Sequence, residues 1–265
     1  MNVQYAIFNN FLYVLEVNPR ASRTIPFVSK ATGIPLAKIA TRVMCGKNLN
    51  EALAFYDRYK IITNDGDVYK SLLYKHISIK SPVFPFNKLI GSNVVLGPEM
   101  KSTGEGMGIS NSFGISFAKG QMACGNTLPL SGSVLLSLMD NDKKYLLDLA
   151  TKFIKLGFKI YATTGTYNSL IESNIKANKI FKISEGARPN VNDLISNKEV
   201  DIVINTSDHK SKKMDTKLIR EQVIRHGLPY FTTISGTNGA LLAIKELSKS
   251  SPYKIKALQD YLNNA

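Results

Sequence analysis

Cysteine is scarce in this chain of 265 residues. Cys45 and Cys124 stand far apart and show no CxxC spacing. That excludes a disulfide framework and a cysteine-rich zinc site, and it fits a reducing, cytoplasmic setting. Long apolar runs are missing too. No stretch approaches the roughly 18 residues of a membrane span, and the N-terminus lacks the charged and apolar regions of a signal peptide, so no membrane partner is expected. Histidine is limited to His76, His209 and His226; none sits at a convincing strand end, and all three read as surface or helix residues rather than catalysts. Acidic residues are outnumbered, 20 against 34 Lys and Arg, which leaves a net charge of +14. A basic balance favours anionic partners. The lysines, however, are spread over helical stretches (Lys143-Lys144, Lys152, Lys155, Lys159), and the densest group, Lys210-Ser-Lys-Lys213, reads as a solvated loop. Without an arginine-rich run interleaved with aromatics, no nucleic-acid partner is expected.

What remains is an ordinary globular composition, 44% hydrophobic and 20% charged, with room for one large or two small domains. Three zones follow along the chain. Residues 1–46 hold two strand-like runs, an Arg-containing loop and the helical pattern Pro35-Leu-Ala-Lys-Ile-Ala-Thr-Arg-Val-Met44, whose apolar positions recur at helical spacing. Residues 47–127 are mixed, with breakers at Gly66, Pro82, Pro85, Gly91, Gly97 and Pro98 and a short helix over Ser112–Ala123. The turn Leu128-Pro-Leu-Ser-Gly132 opens a regular third zone, 128–265. There, strand-like runs at 134–139, 158–162, 179–183, 200–204 and 230–233 alternate with helical patterns at 142–156, 166–173, 190–197, 214–226 and 237–248. The alternation predicts an α/β fold, a doubly wound, Rossmann-like parallel sheet that binds ligands beyond the carboxyl ends of its strands.

At the N-terminal end, Met1-Asn-Val-Gln-Tyr-Ala-Ile-Phe8 and Phe11-Leu-Tyr-Val-Leu-Glu-Val17 flank Asn9-Asn10 and predict a β-hairpin. Glu16 and Asn18 then share a face. Gln4 joins them if the turn centres on Asn10, whereas a two-residue loop sends it to the other face. Carboxylate and amide oxygens converging in this way suit Mg²⁺ or Mn²⁺ bridging nucleotide phosphates. Arg20 and Arg23 follow at once with forked donors for phosphate or carboxylate oxygens. Taken alone, Glu16-x-Asn18 reads as the solvent face of an edge hairpin.

In the third zone, Ala162-Thr-Thr-Gly-Thr166 joins a strand to a helix. Free N–H groups at a helix start, with hydroxyls beside them, form a phosphate seat; a plain N-cap role for Thr166 is equally compatible with this motif. Lys143 and Lys182 lie near equivalent strand ends as anion donors. Asn205-Thr206-Ser207 ends the fourth strand, where it can hydrogen-bond a base or ribose, and Thr232-Thr233 ends the fifth.

The string Glu16-Val-Asn-Pro-Arg-Ala-Ser-Arg-Thr-Ile-Pro-Phe-Val-Ser-Lys-Ala-Thr-Gly33 resembles the second ATP-grasp unit of the carbamoyl phosphate synthetase large chain. The resemblance continues through Pro35–Ala40, Pro85–Lys88 and Leu96–Glu105 and on to the C-terminal domain. It implies a partial ATP-grasp remnant over 1–46, an oligomerisation-like region over 47–127 that makes a homo-oligomer plausible, and a methylglyoxal-synthase-like allosteric domain over 128–265. It further implies metal ligands Gln4, Glu16 and Asn18, and the anion clamps Arg20 and Arg23 as catalytic residues in carbamate phosphorylation by MgATP. The effectors implied are UMP and IMP, held by Lys143, Thr163, Thr166, Lys182, Asn205 and Ser207; Thr232 is added to this set from its place at the end of the fifth strand. Ser207 stands where the family often has Thr, and Glu185-Gly-Ala-Arg-Pro189 carries one residue more than the family's Glu-Gly-Arg-Pro. Ser81 replaces a Glu that the family links to ornithine control. Met1 reads as an internal methionine of a longer chain, with the phosphate-covering loop and adenine pocket before it. The implied partners are the remaining N-terminal part of the large chain and the small glutaminase subunit, and the chain alone is expected to be inactive. The opposing reading is a stand-alone nucleotide-sensing module. Methylglyoxal synthase and IMP cyclohydrolase share the domain shape, but the Gly-Asp-rich segment of the former is not found, and the Glu-Val-Asn-Pro-Arg segment argues against both.

Overall fold

The computed structural model describes residues 1–54, 75–86, 99–207, 214–249 and 255–262. His209, the Lys210–Lys213 cluster, Gly66 and 87–98 lie outside the described residues. The chain divides into two compact units, one formed by Met1–His76 with Ile255–Ala265 and the other by Ile77–Lys254.

The first unit opens with a hairpin of β1, Asn2–Phe8, and β2, Phe11–Asn18. Asn9 and Asn10 both take positive φ, 49° and 63°, the conformation a two-residue turn of matching twist demands and Asn tolerates. The sequence left two outcomes open for Gln4, and the hairpin takes a third. The loop has two residues, yet Gln4 still pairs with Glu16, because the register shifts between Gln4 and Tyr5. Tyr5 faces Val14, so Leu15 is the extra, bulged residue. One inserted residue returns Gln4 to the face of Glu16. Helices α1, Thr24–Thr32, and α2, Leu36–Met44, follow. Gly33 at φ 76° ends α1 in the left-handed region, a common helix stop. Helix α3 covers Leu49–Ala54.

In the second unit, strands β3, Ile77–Val83, and β4, Gly104–Ser110, pair antiparallel beneath helix α4, Phe113–Ala123. The approach is close. A Cβ on Gly108 would stand 1.8 Å from the Ser116 carbonyl oxygen. The remainder is a five-stranded parallel sheet of β5, Gly132–Ser137; β6, Phe158–Thr163; β7, Asn178–Ile180; β8, Ile202–Asn205; and β9, Tyr230–Phe231, in the order β7-β6-β5-β8-β9. The expected helix over 142–156 splits into a 3-10 turn, Asp140–Tyr145, and α5, Leu146–Lys155. Helices α6, Thr164–Glu172; α7, Val191–Ser196; α8, Met214–Arg225; and α9, Ile234–Leu247, complete the unit.

Alternation along the strands explains the two layers. Val134, Leu136, Ile202 and Ile204 face the core shared with Leu149 and Phe153 of α5, Leu170 of α6 and Ile244 of α9. Leu135 and Val203 face the opposite core with Leu194 of α7 and Val223 of α8. Burial on both faces turns these strands into continuous apolar runs. Helix α4 joins the first layer through α9: Gly239 admits the ring of Phe117, and Gly114 admits the Leu242 carbonyl. Glu246 of α9 accepts from the Ile115 amide at 3.1 Å and from the Ser112 hydroxyl, capping the start of α4.

Candidate functional site

The strand order reverses between β5 and β8, and the two chain segments leaving these strands part company there, which opens a crevice. A cavity of about 320 Å³ lies at that point. Its wall takes Ser137–Asn141 from the end of β5, Thr163, Gly165 and Thr166 from the β6–α6 turn, and Asn205–Ser207 from the end of β8. Of the residues expected from the sequence, Lys143, Thr163, Thr166, Lys182, Asn205 and Ser207 come together in this wall. Thr232 does not; β9 is only two residues long and stops one position before it.

Hydroxyls of the wall hold the loops that form it. The Leu138 amide donates to Thr166 Oγ1 at 3.1 Å, and the Met139 amide donates to Thr206 Oγ1 at 3.0 Å. Thr163 donates to Ser137 Oγ at 3.2 Å. Thr166 is not the helix cap that the sequence allowed, since α6 starts at Thr164 with Thr163 as its N-cap; its buried hydroxyl instead pins the segment after β5. Gly165 lets Lys143 reach the start of α6, since a Cβ there would lie 3.4 Å from Nζ. Lys143 also pairs with exposed Asp140 at 2.8 Å, a contact that an entering anion would meet in competition. The rim beside Lys182 is tied down twice. Asp215 accepts from the Ser184 amide and hydroxyl at 2.8 and 2.5 Å, and Thr164 donates to Glu185 at 2.8 Å.

The β8 end is less satisfied. Asn205 is 3% exposed, and its Oδ1 has no hydrogen-bond partner among the described residues. Behind Ser207, Arg220 of α8 donates Nε to the Tyr230 hydroxyl at 2.6 Å and Nη2 to Ser207 Oγ at 3.2 Å. Burial pushes the Tyr230 phenol up to about 12, against the opposing charge and hydrogen bond of Arg220. The sequence reading named Thr206 only as part of the Asn205-Thr206-Ser207 string and missed Asp140, Asp215 and Arg220. Asp140 acts on Lys143 three positions on, whereas Asp215 and Arg220 carry no local signal, since each acts through a residue distant in sequence.

The hairpin gathers the other group. Gln4 Nε2 and Asn18 Nδ2 both donate to Glu16 Oε1, at 2.7 and 2.9 Å. One carboxylate with two amides, whose oxygens can replace their nitrogens by rotation, suits a hard divalent cation. Among the described residues no cluster of three His, Cys, Asp or Glu exists, so a cation here would draw its other ligands from elsewhere. Arg20 is exposed and donates to the Ala21 carbonyl at 3.1 Å, while Arg23 stands at the N-cap of α1. Ser81, by contrast, is buried at 3% under α4; a Cβ on Gly120 would lie 2.8 Å from its hydroxyl. No helix among the described residues is long and apolar enough to cross a membrane.

A parallel α/β domain with an anion-suited cavity at its switch point is the class that this geometry defines, and residues 145–232 match the family model of the MGS-like domain. Residues 1–52 match that of the carbamoyl-phosphate synthase L chain, ATP binding domain. The chain is 52% identical, over its full length, to 24% of the carbamoyl phosphate synthase large chain of Campylobacter jejuni. It is 47% identical over 94% of its length to the C-terminal section of that large chain from Aquifex aeolicus, covering 47% of it. Against the corresponding section from Methanocaldococcus jannaschii it is 44% identical over its full length, covering 42%. The chain is thus similar to the C-terminal region of the carbamoyl phosphate synthase large chain, and it spans about a quarter of the length of the Campylobacter jejuni relative.

Proposed function

We propose that this chain acts as the C-terminal part of a glutamine-hydrolysing carbamoyl phosphate synthase large chain, with an effector cavity for nucleoside monophosphates such as UMP or IMP. The single observation that carries the reading is the cavity wall, where two lysines, three threonines and the Asn205–Ser207 strand end meet at the switch point of the sheet. Lys143, Lys182 and the free amides at the start of α6 would receive the phosphate; Asn205 and Ser207 would receive the nucleoside. The functional partition is 1–46, 47–127 and 128–265.

In this reading the hairpin belongs to an ATP site. Gln4, Glu16 and Asn18 would hold Mg²⁺ or Mn²⁺, and Arg20 and Arg23 would clamp phosphate or carboxylate oxygens. A bound cation would supply charge neutralisation between phosphates; the protein's own task there is orientation, which dominates phosphoryl transfer. The remaining part of the large chain and the small glutaminase subunit are the partners. Support comes from the hairpin's apolar skin: Ile7, Phe8, Phe11, Leu12 and Leu15 are each more than 60% exposed, an excess that marks a surface built to be covered.

Calorimetric titration of the full chain with UMP and IMP tests the effector site. We expect saturable binding by the native chain and its loss in Lys182→Ala, whose side chain is not part of the folded core. Absence of binding by the native chain overturns the reading.

A further inference from the structure

The role of Ser207 depends on a residue that does not touch the cavity. Arg220 stands behind the wall, and its forked guanidinium spans two acceptors, the Tyr230 hydroxyl at 2.6 Å and Ser207 Oγ at 3.2 Å. The guanidinium carbon also lies 5.9 Å from the centre of the Tyr230 ring. No carboxylate among the described residues pairs with Arg220. Its orientation is therefore set by Tyr230 and Ser207 rather than by an ion pair.

The chemistry of the two groups fixes a polarity. A guanidinium has five N–H donors and no acceptor, so towards Arg220 the Ser207 oxygen can only accept. Among the described residues that contact is the one hydrogen bond of the Ser207 side chain, and its own O–H finds no acceptor there. With a donor held against one lone pair, the hydroxyl proton is turned away from Arg220, and Ser207 lines the cavity. A lysine at position 220 cannot reproduce this, because an ammonium is a point donor without the planar fork that bridges two fixed oxygens.

We infer that Arg220, braced by Tyr230, is a positioning residue of the cavity: it presents Ser207 as a hydrogen-bond donor to a lone-pair atom of the nucleoside part of the ligand. The inference rests on the nucleotide reading of this cavity. It assigns a polarity to one wall position. The ligand atom opposite Ser207 is an acceptor, such as a carbonyl oxygen, a ring nitrogen or a ribose oxygen. An ammonium or amide N–H in that place meets only the second lone pair of Ser207 Oγ and leaves the hydroxyl proton unused.

The test is a double-variant cycle on the full chain, titrated separately with UMP, IMP and inorganic phosphate, using Ser207→Ala, Arg220→Lys, their combination and Ser207→Thr. Each single loss variant should raise the nucleotide Kd by about 2- to 13-fold, the equivalent of one net hydrogen bond. Because both remove the same contact, the combination should be no weaker than either single within about twofold. Ser207→Thr, which keeps the hydroxyl, should bind as the native chain does. Inorganic phosphate, which does not reach the β8 end, should bind all variants alike. Multiplied losses in the combination, or native-like nucleotide binding by Arg220→Lys, overturn the positioning role and leave the nucleotide site standing. Phosphate binding that falls in step with nucleotide binding also overturns it, by showing that Arg220 only maintains the fold of the wall. A native chain that binds phosphate but neither nucleotide removes the nucleotide reading and this inference together.

Discussion

Replacing Asn205 by leucine should stabilise the ligand-free protein while weakening its ligand binding, and the opposite signs are the point. Asn205 is 3% exposed in the cavity wall at the end of β8, and among the described residues its amide oxygen has no donor. A buried acceptor left unpaired costs about 1–3 kcal/mol, and an apolar side chain of similar shape removes that cost. Leucine fills a slightly different volume, and imperfect fit returns up to about 1 kcal/mol. The net expectation is a gain near 1 kcal/mol, or about 2–4 °C in Tm for a domain of this size. Against the ligand, the variant loses at least one hydrogen bond, which raises Kd by about 2- to 13-fold. At a nucleotide concentration of about 100 Kd the native protein gains about 2.7 kcal/mol from mass action; a tenfold weaker variant gains about 1.4. Differential scanning calorimetry with and without UMP reads both numbers. The variant should melt higher than the native chain when empty and show roughly half its ligand-induced shift. A lower melting point for the empty variant would refute the reasoning, since it means that the Asn205 amide has a partner that the fold needs.

Two further predictions concern the same unit. Gly108→Ala places a Cβ 1.8 Å from the Ser116 carbonyl oxygen and 2.4 Å from the Gly120 amide nitrogen; both obstacles are backbone, so α4 must retreat from β4 at a cost of about 3 kcal/mol, read as a lower urea midpoint, and a loss under about 1 kcal/mol would contradict the described contact. The Tyr230 phenol, raised by burial to about 12 from an ordinary value near 10, holds its proton more tightly in the folded state, so its contribution to stability is whole below pH 10 and is lost as pH rises from 10 to 12, by at most about 2.7 kcal/mol. Alkaline unfolding of Tyr230→Phe should lack that part of the slope, and parallel curves for variant and native chain would count against the assignment.

The parts of the fold legible in the sequence are those where one local pattern decides. Continuous apolar runs mark β5 and β8 because both faces of a parallel strand are covered. The Thr163-Thr-Gly-Thr166 turn is legible because a strand end, a glycine and hydroxyls at a helix start coincide there. The hairpin was legible as an element but not in register. Nothing in Val14-Leu15-Glu16 announces a bulge, and the bulge alone reconciles a two-residue Asn-Asn turn with Gln4 beside Glu16. Asp215 and Arg220 were invisible for a related reason. Each works across a gap in sequence, to Ser184 and to Ser207 with Tyr230, and helix α8 shows no pattern there beyond that of an exposed amphipathic helix. Thr232 was proposed from its position after a strand, but the crevice opens between β5 and β8, away from the end of β9.

The cavity's two ends are built to different rules, and the difference bears on how it would work. Around the β6–α6 turn, Thr166 already accepts the Leu138 amide, Thr163 donates to Ser137, and Lys143 has Asp140. These bonds hold the wall in place without a ligand, so an arriving phosphate meets a formed seat and little ordering entropy is lost on binding. At the β8 end Thr206 holds the Met139 amide, but among the described residues the Asn205 amide oxygen is unpaired and the Ser207 hydroxyl proton has no acceptor. Such groups keep a cost in the empty protein that only a complementary ligand relieves, and a site whose polar groups go unpaired with the wrong ligand rejects it strongly. Affinity is thus concentrated where the wall is pre-formed and discrimination where it is unsatisfied. Variants at Lys182 should therefore weaken all phosphate-bearing ligands alike, whereas variants at Asn205, Ser207 and Arg220 should change the order of preference among nucleotides; uniform loss from both groups would show that the division does not exist.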